Sequence, residues 1–439
     1  MRKEILPAIA AGLGALVLGA CFLSSRAWAA PPEAGAPLRL ADLLVEVRGH
    51  NPAMRVARER SKAMAAMPVQ VSAWDDPTLS YEGWNIPPPL RIARADNSIF
   101  KLSQKIPFPG KRRLAGEIAA YEAEQAAHQV GLVELELDAA VKYAYYNLWQ
   151  AHQRLAVLER EKELLTRFAR IAEQKYVVGK ASQADVLRAQ VELTHVLTQL
   201  QTEPLAIDSA RAELNALLSR APDEPLGVPE TPPPPQLDIS ATSLAELALE
   251  KRPELAAQGA AISREQRAVE LADRNHLPDF EFSVGRFVNY DQSDGFGLMA
   301  SVTLPFVNAA KYEAGVAEAR AKLAVARAER RRLEDALRRE VQQTFLEARA
   351  AFLRSDLFVN THIPQAEQAL RVAESGYATN ELGFLELIDS LRRLESVHLD
   401  HITAQADFER ARAELERLAG TDLARPRPGD LTEEGPPHG

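Results

Sequence analysis

Leu40-Ala41-Asp42-Leu43 recurs later in the chain as Leu244-Ala245-Glu246-Leu247, and Asn51-Pro52-Ala53-Met54 recurs as Arg252-Pro253-Glu254-Leu255. Pro253 lies 201 residues after Pro52, and the pairs Pro77/Pro278 and Tyr176/Tyr377 keep that offset. Self-similarity at a fixed spacing indicates a tandem duplication. The sequence therefore predicts two structural repeats, 30–230 and 241–420, joined by a proline-rich linker at 231–240. The Pro/Gly-rich tail, 421–439, is predicted to be disordered.

The sequence predicts the same order of helices and strands in both repeats. A first helix spans about 41–73 in one repeat and about 244–275 in the other. Two short segments follow in each, in which apolar and polar side chains alternate, and this period of two indicates strands with one apolar face. A long helix comes next, about 111–176 and again about 311–377, and it returns as a second helix. Pro364 is expected to kink or break the second long helix.

The strand segments, about 9–11 residues each, have the length of lipid-facing strands. Four strands cannot close around a pore, whereas three copies give twelve strands and leave no unpaired edge. A polar helix of about 65 residues likewise needs partners along its whole length. The predicted fold is therefore mainly α, a long α-helical barrel with four strands per protomer of a trimeric 12-stranded β-barrel. The alternative is a pair of surface hairpins on a soluble helical protein.

The N-terminus has the pattern of an export signal. Arg2 and Lys3 precede an uncharged apolar run at 5–23, and Ala27-Trp28-Ala29 supplies small residues for cleavage, so 1–29 is predicted to be a signal peptide. A retained anchor helix is the alternative. Cys21 is the single cysteine, and Leu18-Gly19-Ala20-Cys21 also fits a lipidation motif, so Cys21 is a second candidate for the mature N-terminus.

Composition and motifs exclude several classes of function. The net charge is −9 and no basic stretch is concentrated on one face, so nucleic acid is not an expected partner. Gly110-Lys111 lacks the other residues of a phosphate-binding loop, and no nucleophile–base arrangement is visible. His398 and His401 lack a convergent third ligand. We expect no enzyme activity, no cofactor and no resident metal.

Two long motifs carry a resemblance to a known family. Tyr176-Val177-Val178-Gly179-Lys180-Ala181-Ser182 opens the first motif and Gln183-Ala184-Asp185-Val186-Leu187 continues it; residues 377–391 are its second copy. Ser103-Gln104-Lys105-Ile106-Pro107-Phe108-Pro109-Gly110 is the second motif, accompanied by Trp74-Asp75-Asp76-Pro77. Over about 40–420 the chain resembles the TolC-type outer-membrane efflux channels, most like their heavy-metal (CusC/CzcC-like) branch.

This resemblance implies a homotrimer in the bacterial outer membrane, with a helical tunnel in the periplasm. The periplasmic mouth of the tunnel docks onto an adaptor (membrane fusion) protein, which links it to an inner-membrane RND pump. The implied function is a passive exit duct, with heavy-metal cations as the cargo. Drug efflux and type I polypeptide secretion are alternatives within the same class, and a soluble periplasmic coiled-coil scaffold is the alternative from another class.

The resemblance also assigns roles to individual residues. It places Glu386 and Asp389 at the periplasmic gate, where acidic rings attract cations, and Asp185 at the equivalent position of the first repeat, where a hydrogen bond within the tip is the alternative to a gate role. The turns that meet the adaptor contain Tyr176, Gly179, Ser182, Tyr377 and Gly383. Residues predicted to line the inside of the barrel are Lys101, Ser103, Lys105, Glu82 and Glu281. Ordinary solvated faces and plain turn chemistry are the alternative explanations for these positions.

Overall fold

The structure is a computed structural model that describes residues 37–86, 88–89, 92, 95–289 and 293–423. The predicted signal peptide, Cys21 and all but the first three residues of the predicted tail lie outside these residues. The described elements follow one another in the order α1 (Leu40–His50), α2 (Pro52–Ser72), β1 (Thr78–Trp84), β2 (Asn97–Ile106), α3 (Lys111–Val177), α4 (Gln183–Leu217), α5 (Ala241–Lys251), α6 (Pro253–Arg274), β3 (Phe280–Asn289), β4 (Gly295–Val302), α7 (Ala309–Leu357), α8 (Ile363–Thr379) and α9 (Phe384–Ala419).

The prediction of one continuous first helix per repeat is wrong, because each is two helices that meet at a proline. Asn51 and Arg252 precede the prolines and are extended, with ψ of 129° and 122°. The proline ring disfavours helical backbone in the residue before it, yet it is well suited to the first position of a helix. Leu43 of α1 and Leu244 of α5 are buried at equivalent positions, so these two short helices align at the offset of 201. The match of Leu40-Ala41-Asp42-Leu43 to Leu244-Ala245-Glu246-Leu247 is therefore out of register with the structural repeat.

The four strands form one antiparallel sheet in chain order, and the pairing of β2 with β3 joins the two repeats. Residues directly opposite each other in such a sheet share a face. Lys105 is paired with Glu281, Ser103 with Ser283, and Glu82 with Ile99. All five residues predicted to line the barrel therefore lie on one face. β1 has 7 residues and β4 has 8, fewer than the length expected from the sequence.

The opposite face of the sheet is apolar and exposed in the single chain. Leu79 and Phe100 lie on it in the first repeat, and Phe282, Phe296 and Leu298 lie on it in the second. β1 and β4 have no partner strand on their outer edges within the described residues. Both the face and the edges are thus available to other molecules.

The long helices carry the chain away from the sheet. α3 has 67 residues, which at 1.5 Å per residue corresponds to about 100 Å. The second long helix is interrupted, as predicted, because a π-helical turn at Phe358–His362 separates α7 from α8 just before Pro364. Proline has no N–H for the helical hydrogen bond, so the ladder must adjust at this point.

Equivalent cores hold the two repeats. Leu43, Val47, Val141 and Leu214 lie in the core of the first, which joins α1, α3 and α4. The second repeat has the same arrangement with α5, α7 and α9. Among the described residues, no helix is both long enough and apolar enough to span a lipid bilayer.

Candidate functional site

The turn between α3 and α4 and the turn between α8 and α9 lie side by side, at the end of α3 farthest from the sheet. We call α3–α4 hairpin 1 and α8–α9 hairpin 2. Both hairpins contribute side chains to one buried cluster beneath the turns, which includes Phe168, Ala189, Leu370, Phe384 and Leu391. The two tips therefore form one packed unit.

The tip of hairpin 1 is closed by a left-handed glycine. Gly179 has φ +71°, and its N–H donates to the carbonyl of Tyr176 at 2.9 Å. Lys180 N–H donates to the carbonyl of Lys175 at 2.8 Å, which satisfies another helix-end carbonyl. Tyr176 is 46% exposed, and Val177 and Val178 beside it are exposed as well. This turn presents an apolar surface to its surroundings.

Asp185 is used inside its own turn. The Ser182 hydroxyl accepts a hydrogen bond from Asp185 N–H at 3.2 Å, and the Asp185 carboxylate accepts one from Ser182 N–H at 3.1 Å. This is a capping box, which satisfies backbone donors at the start of α4. The structure thus gives Asp185 a capping role within its own turn.

The tip of hairpin 2 reaches the same geometry with different residues. Asn380, at φ +66°, takes the left-handed position that Gly179 has in hairpin 1. Asparagine tolerates that conformation better than most residues. Glu381 N–H and Leu382 N–H then donate to the carbonyl of Gly376, at 2.8 and 3.0 Å. Gly383 precedes α9 as its N-cap and supplies no side-chain cap.

Glu386 and Asp389, hereafter the tip carboxylates, lie on the exposed face of α9. Phe384 and Leu387 lie on its buried face. Glu386 is in the first turn, where the helix dipole favours a negative charge. The Asp389 side chain is 61% exposed and lies 3.8 Å from Arg392. The structure therefore places the tip carboxylates together and open to solvent, and their place inside a channel stays a prediction.

Lys175, at the end of α3, binds the end of α8 in the other hairpin. Its ammonium group donates to the carbonyl of Tyr377, to the carbonyl of Ala378 at 3.3 Å and to Asn380 Oδ1 at 2.6 Å. The same nitrogen lies 4.3 Å from the centre of the Tyr377 ring. Partial burial, with the charge of Lys180 as a smaller cause, lowers the pKa of Lys175. Nothing in the local sequence indicates this contact, because it joins residues of different repeats.

Tyr377 is buried, unlike its counterpart Tyr176. It is 6% exposed and its ring packs edge-on against Phe384, with centroids 5.5 Å apart. Burial, followed by the nearby charge of Asp185, raises the pKa of Tyr377. A side chain so enclosed is not available for docking in the single chain, so the exposed residues of the tips are the ones that can meet a partner.

Two ion pairs reinforce the junction between the hairpins. Arg167 of α3 lies 2.6 Å from Glu374 of α8. Arg392 of α9 forms a two-pronged pair with Glu192 of α4, with 3.0 Å between Arg392 Nε and Glu192 Oε2. Arginine–carboxylate pairs of this kind fix orientation as well as distance. Near the tips, hairpin 1 therefore contacts hairpin 2 through Lys175 and through these two ion pairs.

Within the described residues, no group of three or more His, Cys, Asp or Glu side chains is arranged to hold a metal ion.

Comparisons with known proteins agree with this architecture. The family model described as outer membrane efflux protein matches the chain twice, over residues 43–220 and 244–421. The cobalt-zinc-cadmium resistance protein CzcC of Cupriavidus metallidurans is 22% identical over 397 residues, 89% of this chain and 92% of that protein. The outer membrane protein VceC of Vibrio cholerae superposes with a TM-score of 0.73 at 18% identity, covering 87% of this chain and 96% of that one. The channel CusC gives 0.69 at 15% identity, covering 87% and 92%.

Proposed function

Because the chain belongs to the outer membrane efflux protein family, we propose that three copies form the exit duct of a tripartite efflux pump. The family consists of outer-membrane channel proteins. In this proposal a periplasmic adaptor protein docks at the tips of the two hairpins. An inner-membrane RND pump supplies the energy, and the duct itself conducts cargo passively.

The sheet supports an assembly of several copies. β1 and β4 each leave one edge unpaired among the described strands, and an unpaired edge readily pairs with another chain. Edge-to-edge pairing of three sheets joins β4 of one protomer to β1 of the next. The exposed apolar face, with Phe296 and Leu298, is then turned toward lipid, and the face with Lys101 and Glu281 toward water.

The tips support docking to an adaptor. Tyr176, Val177 and Val178 of hairpin 1 and Leu382 and Leu385 of hairpin 2 are exposed apolar side chains on neighbouring turns. Exposed apolar groups that cluster on one surface, rimmed by polar residues, are typical of protein-binding sites. A hairpin of a partner protein that covers these residues would bury them at the mouth of the duct.

The exposed tip carboxylates are the observation that carries the functional proposal. In a trimer, Glu386 and Asp389 from three chains place six carboxylates around the mouth. An acidic ring in a pore attracts cations and repels anions. The relative CzcC is named for resistance to cobalt, zinc and cadmium, and we infer that divalent metal cations are the cargo here as well.

The test is the ion selectivity of the purified protein in planar bilayers. Charge clusters at a narrow opening raise the local concentration of counter-ions about 10-fold or more at low salt. The double variant Glu386→Gln/Asp389→Asn should therefore reduce cation selectivity about 10-fold at low salt, and less at high salt, where charges are screened. The variant Asp223→Asn/Asp238→Asn removes the same charge from exposed positions near the end of the first repeat and in the linker, and it should match the wild type.

Each other result has a clear meaning. Pores whose selectivity is the same in both double variants would keep the duct and remove the gate role of the tip carboxylates. A protein that forms no pores and leaves the membrane fraction with salt alone would be a periplasmic scaffold, and the duct proposal would be wrong.

A further inference from the structure

Glu161 of α3 is a buried carboxyl group at the junction of the two hairpins. The residue is 5% exposed, and its Oε2 atom has no hydrogen-bond partner among the described residues. Glu395 of α9 is close enough to this side chain for a hydrogen bond between the two carboxyl groups. Glu161, which is buried, and Glu395, which is partly buried, are hereafter the buried carboxyl pair, and they bring hairpin 1 and hairpin 2 together.

The charges around the buried carboxyl pair do not neutralise it. Glu192 of α4 adds a third carboxylate, and Arg392 of α9 is the cation beside the three. Arg392 is already engaged with both carboxylate oxygens of Glu192, whose side chain is itself largely buried. One turn farther along α9, His398 lies near Glu367 of α8 and Arg160 of α3, and burial lowers its pKa. His398 is therefore uncharged at neutral pH.

A hydrogen bond between two carboxyl groups requires a proton on one of them. Burial of Glu161, followed by its hydrogen bond to Glu395 and the charge of that residue, raises the pKa of Glu161 to about 8. Below that pH the proton is present and the two helices are joined. Above it, two carboxylates without a neutralising partner face each other in a poorly hydrated space, which is unfavourable.

The position of the pair connects it to the tips. Glu395 lies nine residues after Glu386 on the same helix, a rise of about 13 Å. Between them on α9, Arg392 lies 3.8 Å from Asp389 and also holds Glu192 of hairpin 1. A movement that takes α9 away from α3 along this stretch therefore separates the buried carboxyl pair.

We propose that Glu161 and Glu395 form a proton-binding site that holds hairpin 2 against hairpin 1, and that loss of the proton releases hairpin 2 and favours the open mouth. The consequence for the mouth rests on the proposed channel function, whereas the proton site itself does not. One proton can change the ratio of released to held hairpins within its own chain at most about tenfold per pH unit.

Two measurements on the full-length protein test the site and its consequence separately. Infrared titration in deuterated buffer detects a protonated carboxyl group directly. The wild type should show such a band that disappears around pH 8, and Glu161→Gln, which mimics the protonated side chain, should lack it. Glu395→Gln should move the midpoint to lower pH, because it removes the neighbouring charge. Glu163→Gln changes an exposed carboxylate of the same helix and should leave the band unchanged.

The second measurement is open probability in planar bilayers between pH 6 and 9. Wild type and Glu163→Gln should open more as the pH rises through 8, and Glu161→Gln should stay closed and insensitive to pH. Absence of the infrared band in the wild type, or its persistence in Glu161→Gln, would overturn the proton site. A band with no pH dependence of opening would overturn the link to the mouth. Failure of every variant to form pores would instead overturn the channel function, and the infrared result would still decide the proton site.

Discussion

Replacing Lys175 by methionine should loosen the junction between the two hairpins. Methionine keeps the length and the apolar stem of lysine and removes its charge and its three donors. The variant leaves the carbonyls of Tyr377 and Ala378 and the side-chain oxygen of Asn380 without the cation that now binds them. It also removes the cation over the Tyr377 ring.

The size of the effect follows from those contacts. A cation at the end of a helix contributes about 0.3–1 kcal/mol at a solvent-accessible position. A cation over an aromatic ring at an exposed site contributes about 0.5–1 kcal/mol. Because Lys175 is only partly buried, water can replace some of its hydrogen bonds, and we expect a total of about 1–2 kcal/mol per chain. A change of that size alters an equilibrium by a factor of about 5–30.

Open probability in planar bilayers at pH 7 is the assay, with thermal unfolding as the check on folding. Lys175→Met should open about 5–30 times more often than the wild type. Lys180→Met is the matched control, because Lys180 is an exposed lysine of the same turn. If the two methionine variants open equally often, the contact of Lys175 with α8 does not hold the hairpins together, and the reasoning fails.

Two further predictions concern residues outside this contact. Lys142→Met should destabilise the fold by about 1–3 kcal/mol, measured by thermal unfolding, because Lys142 Nζ lies 2.6 Å from the buried carboxylate of Glu416, which would keep only Arg412, 3.2 Å away, as its cation; the double variant Lys142→Met/Glu416→Gln should recover part of the loss. Gly383→Ser should create with Glu386 the capping box that hairpin 1 already has, stabilising α9 by a few tenths of a kcal/mol. Because the Glu386 carboxylate would then accept a hydrogen bond within the turn, Gly383→Ser should also lower cation selectivity in bilayers. Unchanged selectivity would contradict the role given to the exposed Glu386 carboxylate.

Much of the fold is predictable because its signals are local. The alternation in the strands and the length of α3 follow from side chains that are neighbours in sequence. The break at Asn51 was also visible in principle, since the next residue is proline. The apolar periodicity continues on both sides of that proline, so the periodicity alone predicts one continuous helix. Within the structure the Asn51 side chain strengthens the break, accepting from Ala53 N–H at 2.8 Å.

The candidate site is less predictable because its contacts join positions about two hundred residues apart. Ser182 and Asp185 have the spacing of a capping box, so a hydrogen-bonding role of Asp185 within the tip is predictable from the sequence. Lys175 and Glu161 carry no such signal. Their partners belong to the other repeat, and only the side-by-side packing of the hairpins brings them together.

The two tips have diverged in complementary ways from one ancestral turn. At the offset of 201, Ser182 corresponds to Gly383 and Asp185 to Glu386. The serine engages its acid in a cap, whereas the glycine offers no hydroxyl and leaves Glu386 exposed. Lys175 corresponds to Gly376, whose carbonyl accepts the two hydrogen bonds that close the turn of hairpin 2. A Cβ atom at Gly376 would lie 2.7 Å from Leu382 side-chain atoms, so a lysine is not accommodated there without rearrangement.

Each repeat therefore provides what the other lacks. Hairpin 1 contributes the cation that binds the end of α8, and hairpin 2 contributes the exposed carboxylates. Two identical tips would either cap both acidic side chains or leave both exposed. The asymmetry gives the duplicated chain one hairpin that binds, through Lys175, and one hairpin that is bound.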